Sequence, residues 1–493
     1  MINIMHILTD HLMISLFFQL SAVHFINTES HVIALYKTIE YEKGDGAMKV
    51  TTLSIAVLLI AALSAHAGVS DFDVMNYGAV AGGAVDNTDS FQKALDAAGE
   101  KGGVVHVPCG DFLIGGSLII PEGVVLEGMA RGPHMPMNGT VTMLLAYQGR
   151  DDEFGAPFIT LETNATLKGL SIMYPEQTPL DIRPYPWTVH VAGNRVNIID
   201  VTLANSYNGI DCGTTSHHSH HLRNVSMTAL RRGVYIDRCS DIGRIENVHI
   251  HAVNWWNVGE PYRLTPEEIK AIDVFTKSNL EGFIIARCDW EYMIDCFVIW
   301  MKTGFHFVPT QMRDGEHGKG VEQPNILITQ SGSDMSPLSV VIERVQDHAG
   351  IAFENCQFMN GFEIREGNTG PIKLTNCGFW GETNTGQLKG SIIINRGTGP
   401  IMMTSCHFST WEDPNRKWTS WDPEAPLIDM YAGSLILSGC LFKDYGVNFK
   451  RHIMLREGID AAVINGNIVE GGRLIVENKS KADVQIFGNV AKR

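Results

Sequence analysis

Five short segments of the 493-residue chain begin with glycine and then alternate apolar and variable residues: Gly209-Ile210-Asp211-Cys212, Gly233-Val234-Tyr235-Ile236, Gly282-Phe283-Ile284-Ile285, Gly304-Phe305-His306-Phe307 and Gly361-Phe362-Glu363-Ile364. If the apolar residue after each glycine points inward, strand alternation turns the residues two and four places after the glycine outward. An outward column then collects Asp211, Tyr235 with Asp237, Ile284 and His306, preceded by His190 of Val189-His190-Val191. Such a set carries more acid–base capacity than a solvated face needs. With neighbouring strands about 4.8 Å apart and two residues spanning about 6.6 Å, Asp211 and Asp237 would sit roughly 8 Å apart. That falls within the window of about 6.5–9.5 Å in which one carboxyl protonates a leaving oxygen and the other activates water for inverting glycoside cleavage. The plain alternative is two aspartates facing solvent.

Other residues could serve the same trough as substrate contacts. Asp289-Trp290-Glu291-Tyr292 follows a strand, and its rings offer apolar faces to sugars, although a packed turn explains them as well. Trp255, Trp256 and Tyr262 stand in an insertion over 252–280 that carries a short helical pattern from Pro266 to Ile272. Arg231, Arg232, Arg238, Lys277 and Lys302 could neutralise an acidic substrate or simply be solvated surface charges. His217-His218-Ser219-His220-His221 is rich enough in histidine to raise metal binding. No acid adjoins it in sequence, so it is read as an exposed loop, and no metal ligand is assigned.

Positioning such residues requires a scaffold, and the chain supplies one by repetition. Ile199-Asp200-Val201-Thr202-Leu203, Arg223-Asn224-Val225-Ser226-Met227 and Glu246-Asn247-Val248-His249-Ile250 each place Asp or Asn before an apolar alternation. The phrase returns with cysteine and phenylalanine in Phe353–Phe358, Leu374–Phe379, Met403–Phe408 and Leu437–Phe442. Most copies recur after roughly 20–35 residues, the range of solenoid repeats. The alternation has period two, so the segments are strands. A unit of two or three short strands cannot bury its apolar face alone and must stack on its neighbours. The expected fold is all-β, a parallel β-helix forming one domain over 68–493. Cys356, Cys377, Cys406 and Cys440 share one repeat position and are expected as an inward column of small buried hydrophobes, with disulfides between coils an alternative in an exported chain. Insertions over 252–280, over 308–336 with Gly315, Gly318, Gly320 and Gly332, and a segment from Trp411 to Trp421 are candidate walls of a binding face.

Met48-Lys49, the apolar run Leu53–Leu63 and Ala65-His66-Ala67 have the order of a secretory signal over 48–67, so the mature chain is expected to be secreted or periplasmic. Residues 1–47 then read as an extension from a misplaced start, and the run Leu12–Leu20 is too short to span a bilayer. No membrane span is expected in the mature chain. The net charge of −16 argues against a nucleic-acid partner.

Asp73-Val74-Met75-Asn76-Tyr77-Gly78-Ala79, Asp86–Leu95, Gly102-Gly103-Val104-Val105-His106-Val107-Pro108 and Gly110-Asp111-Phe112 follow one another in order. This stretch of about 60 residues resembles the N-terminal module of the pectate-lyase-like superfamily in its rhamnogalacturonase and epimerase-like branch. The resemblance implies a right-handed parallel β-helix with an N-terminal capping helix, and Phe91, Ala94, Leu95 and Ala98 do fall on one helical face. Polygalacturonases share that fold, but their Asn-Thr-Asp, Asp-Asp, Gly-His-Gly and Arg-Ile-Lys motifs do not occur here in that order. Asn87-Thr88-Asp89, Asp151-Asp152 and Arg244-Ile245-Glu246 are isolated fragments of them, so no catalytic residue is carried over. The expected activity is hydrolysis of a pectin-like or other acidic polysaccharide without a cofactor. The alternatives are a lyase or epimerase on uronates, calcium being the ion a lyase could take, and a non-catalytic glycan-binding solenoid.

Overall fold

The computed structural model describes residues 71–130, 141–310, 323–381, 386–409, 422–443 and 449–492. The expected leader, Gly315, Gly318, Gly320 and the segment from Trp411 to Trp421 lie outside these residues. The described strands pair in parallel throughout, each with the equivalent strand of the next coil, and this is a parallel β-helix. The coil has three faces. One runs through Trp187–Val191, the end of Asn197–Cys212, the end of His221–Ile236, Glu281–Ile285, Thr303–Phe307 and Leu338–Ile342. A second runs through Arg244–Glu246, Glu291–Ile294, Ile326–Thr329 and Ile351–Glu354. The third runs through His249–Ile250, Phe297–Ile299, Gly332–Asp334 and Gln357–Phe358.

The repeated Asp or Asn has a geometric cause. Asp200, Asn224, Asn247, Asp295, Asn355 and Asn376 all have φ between 53° and 57°, at the corner between the second and third faces. Only glycine, asparagine and aspartate enter this left-handed region readily. Their side chains also bond from coil to coil: Asn224 Nδ2 donates to Asp200 Oδ1 at 2.9 Å, and Asn247 Nδ2 to Asn224 Oδ1 at 3.0 Å.

Just past that corner, Cys356, Cys377, Cys406 and Cys440 are buried as the repeat requires, and all nine cysteines are free thiols. Two residues further on, Phe358, Phe379, Phe408 and Phe442 stack with centroids 5.8, 5.0 and 4.6 Å apart. Offset ring stacking adds to the burial of such large side chains. At the N-terminal end, the helix Thr88–Gly99 buries Phe91, Ala94, Leu95 and Ala98, and it packs on the first strands with Phe91 against Phe112 at 5.4 Å.

The 252–280 insertion forms two helices, Val253–Trp256 and Pro266–Asn279, the second opened by a capping box between Thr265 and Glu268. It is twice as long as the pattern from Pro266 to Ile272 suggested, since helix termination is set by the next strand rather than by a stop signal. The second helix lines a hollow of about 640 Å³ with Leu180 and Ile182, through Lys270, Val274 and Phe275. Trp255, Val258 and Ile272 cover Met143, Leu145, Ala204 and Leu230 in a second apolar cluster.

Candidate active-site cleft

The register of the first face brings the predicted column together. His190 pairs with Asp211, Asp211 with Tyr235, Tyr235 with Ile284, and Ile284 with His306. His190, Asp211, Tyr235 and His306 line one cleft of about 790 Å³, with Trp187, Glu153, Arg231, Arg232, Glu281 and Glu343 around them. The aspartates are not solvent-facing, however. Asp211 is 1% exposed and Asp237 0%.

Asp211 holds His190. Its Oδ1 accepts from the backbone N–H of Gly213 and Thr214 at 2.8 and 2.9 Å, and its Oδ2 lies 2.8 Å from His190 Nδ1. Burial works to raise the Asp211 carboxyl, but the hydrogen bonds from His190 and Thr214 outweigh it and hold it below its ordinary value. An ionised carboxylate can only accept, so Nδ1 carries the ring proton. Nε2 is then the ring nitrogen turned away from the carboxylate, and the Thr215 hydroxyl lies 3.1 Å from it. This arrangement orients an imidazole as a proton acceptor.

Asp237 does not line the cleft, which corrects its expected outward position. It follows the end of its strand, where the chain turns, and donors from the next coil enclose it. Oδ1 accepts from the N–H of Arg238 and Arg287 and from the Thr310 hydroxyl at 2.7 Å. Oδ2 accepts from the Tyr235 hydroxyl at 2.9 Å. Burial, then the Asp237 charge, push the Tyr235 phenol far above its ordinary range, so it keeps its proton. Its ring stacks on Trp187 at 6.2 Å and 13°, and the Arg232 guanidinium lies 5.9 Å over that indole while pairing with Glu153 at 2.6 Å.

At the far end, His306 sits between two carboxylates, Glu281 at 3.4 Å and Glu343 at 3.2 Å. Burial would raise Glu281, but the His306 hydrogen bond and charge outweigh it and bring it down to about 2. Arg231 also lines the cleft. It donates to the Asn279 carbonyl oxygen, and no carboxylate among the described residues lies within ion-pair distance of it.

The remaining substrate-contact expectations fall elsewhere. Trp255 is buried under the second apolar cluster, and Trp256 stacks on Trp300 at 5.4 Å. Asp289, Trp290, Glu291 and Tyr292 lie at the start of the second face and do not reach the cleft. Trp290 has φ 56°, which breaks the alternation, leaving its ring 60% exposed and Glu291 fully buried. Lys277 pairs with Asp273, and Lys302 approaches Glu281. The histidine run is not an exposed loop, since His217 and His220 are 2% and 1% exposed. Sequence reasoning missed Trp187, Glu281 and Glu343. For Trp187 strand alternation gave no signal, since two residues before the inward Val189 it would be placed inside the coil.

A separate hollow of about 560 Å³ lies on the third face, between Asp295, Asp334, Phe297 and Trp380. Burial raises the Asp334 carboxyl there.

The sequence model of the rhamnogalacturonase A/epimerase, pectate lyase-like family matches residues 72–238. A mannuronan C5-epimerase, AlgE3 of Azotobacter vinelandii, is 31% identical over 109 residues, which is 19% of this chain and only 6% of that protein's length. Among solved structures, the A-module of the Azotobacter vinelandii mannuronan C-5 epimerase AlgE6 superposes with a TM-score of 0.47 at 13% identity, covering 86% of this chain and 100% of the module. The catalytic unit of an alpha-1,3-glucanase from Streptomyces thermodiastaticus gives 0.35 at 12% identity, covering 86% and 69%. The family match spans the coils that carry His190, Asp211 and Tyr235, and over those residues the chain is similar to the pectate-lyase-like family.

Proposed function

We propose that this chain is an exported polysaccharide-processing enzyme that abstracts the C5 proton of a uronate residue, as a lyase or an epimerase, rather than a hydrolase working through Asp211 and Asp237. The carrying observation is the His190–Asp211 dyad opening on a cleft whose shifted carboxyls, Asp211 and Glu281, are both driven to the ionised form. Inverting hydrolysis needs one carboxyl that keeps its proton. Proton abstraction needs an accepting ring nitrogen instead, and the Nδ1 bond to Asp211 leaves His190 Nε2 for that role. Tyr235 is the proton-bearing group next along the row, available to protonate the leaving oxygen in a lyase or the opposite face of C5 in an epimerase. Arg231 is the docking cation for the uronate carboxylate, whose neutralisation makes the C5 proton more acidic. The partial match to a mannuronan C5-epimerase supports a uronate as the sugar.

Product analysis on a panel of acidic polysaccharides tests the reading. A lyase leaves unsaturated ends absorbing in the ultraviolet, whereas an epimerase in deuterated water exchanges H5 and changes configuration without shortening the chain. Reducing ends without unsaturation would restore paired-acid hydrolysis. A chain that binds but changes none of these glycans would point to the glycan-binding alternative.

A further inference from the structure

The buried part of the histidine run meets residues from two other coils. His217 Nε2 lies 2.9 Å from His220 Nδ1, and Cys239 Sγ lies 3.8 Å from the same Nδ1. One donor atom from each of the three residues lies within 4.8 Å of the other two, and all three residues are buried. Bridges between coils set this up by placing His217 beside Cys239, and Cys239 beside Cys288.

The outward-facing ring nitrogens have partners of the kind that orient metal ligands. His217 Nδ1 lies 3.1 Å from the Thr215 carbonyl oxygen, which can only accept, so that nitrogen carries the proton and Nε2 is left bare. His220 Nε2 approaches Glu291 Oε1 to 3.0 Å. Glu291 is 0% exposed, and neither of its oxygens has a hydrogen bond of good geometry among the described residues. A buried carboxylate aimed at the far nitrogen of a histidine is the usual support for a ligating imidazole. Gly243 closes the pocket, because a Cβ there would strike both the Glu291 carboxylate and the His220 ring.

We propose that His217 Nε2, His220 Nδ1 and Cys239 Sγ form a binding site for a borderline-soft transition-metal ion, Zn²⁺ by donor type, with Glu291 and the Thr215 carbonyl as its outer support. Imidazole and thiolate donors select such ions over the oxygen-seeking calcium and magnesium. For a regular four-coordinate ion, ligand atoms about 2.0–2.3 Å from the metal stand some 3.3–3.6 Å from one another. The observed separations of 2.9 and 3.8 Å bracket that range. On binding, the proton shared between the two rings and the Cys239 thiol proton leave to solvent, and the ion takes their place. In the chain, His217, His220 and Cys239 follow the strands that carry Asp211 and Tyr235, and the site's role is to pin that corner of the coil. It is independent of the reaction assigned to the cleft.

The full chain, stripped with a chelator and confirmed folded by circular dichroism, is titrated with Zn²⁺ and with Co²⁺. One equivalent of either ion should bind, with proton release, and the Co²⁺ form should show thiolate-to-cobalt charge-transfer absorption. X-ray absorption at the zinc edge of the wild-type protein should show one sulfur and two imidazole ligands, a readout that needs no variant. Cys239→Ser should abolish the charge-transfer band while Cys406→Ser keeps it, and Glu291→Gln should weaken binding about 10- to 100-fold. A folded, stripped protein that takes up no stoichiometric ion would overturn the site. So would a zinc spectrum without sulfur, or a band that persists in Cys239→Ser.

Discussion

The same outward row of the first face is built differently in its early and late coils. Early, the carboxylates in and beside the row meet imidazole: Asp211 holds His190, and Glu281 and Glu343 flank His306, with Glu343 also pairing to Arg365. Late, the row continues through Glu363 and Asp429, and there the partners are guanidinium groups, Arg365 and Arg396 for the first and Arg456 for the second. Arg456 also lies over Tyr431 at 4.3 Å. A guanidinium keeps its proton at any working pH, whereas imidazole exchanges one near neutrality. One scaffold therefore passes from imidazole-paired to guanidinium-paired carboxylates, and Glu343, which meets both His306 and Arg365, marks the change.

Exchanging groups in the early and late coils gives the largest expected effect. His190→Gln or Tyr235→Phe should lower kcat on the true substrate by roughly 10²–10⁴ with little change in the melting temperature. Asp429→Asn should leave kcat unaltered. Equal rates for wild type and His190→Gln would erase the distinction. Next comes Phe379→Ala, in the middle of the phenylalanine stack, which should cost about 3–5 kcal/mol in denaturant unfolding while turnover per folded molecule holds. A lost rate there would mean the late coils reach into the chemistry.

Asn376→Ala should cost about 1–2 kcal/mol, because alanine is strained at φ 53° and the Asn376 Nδ2 bond to Asn355 disappears. Asn376→Gly should cost less, a ranking that urea titration of the pair can check. The smallest effect concerns acid. Glu281 is held down at about 2, so its contribution to stability is complete above the ordinary carboxylate range and is lost as pH falls through about 2. Glu281→Gln should accordingly show a shallower loss of melting temperature between about pH 4.5 and 2, where the unfolded wild-type chain takes up a proton before the folded one does. Identical slopes would remove Glu281 from the acid response.

Architecture was legible because each coil needs a residue that tolerates the left-handed corner and an inward residue of fixed size. Asn224, Asn247, Asn355 and Asn376 mark the first, and the Cys and Phe columns mark the second. The row from His190 to His306 followed from the same spacing. Burial within that row was not legible, since strand alternation tells which side a residue takes but not what closes over it. The donors that enclose Asp237 come from Arg287 and Thr310, 50 and 73 residues further along the chain. The same holds for Glu291, whose meeting with His220 depends on the bend at Trp290.

Thr310 opens the long connection after the His306 strand, and its hydroxyl rests on the carboxylate that holds the Tyr235 phenol. Loss of that hydroxyl would leave Oδ1 of Asp237 with one donor fewer and change how firmly the phenolic hydrogen is kept. Val308 and Pro309, just before that threonine, border the cleft, so the backbone edging the hollow also sets the charge balance behind its phenol.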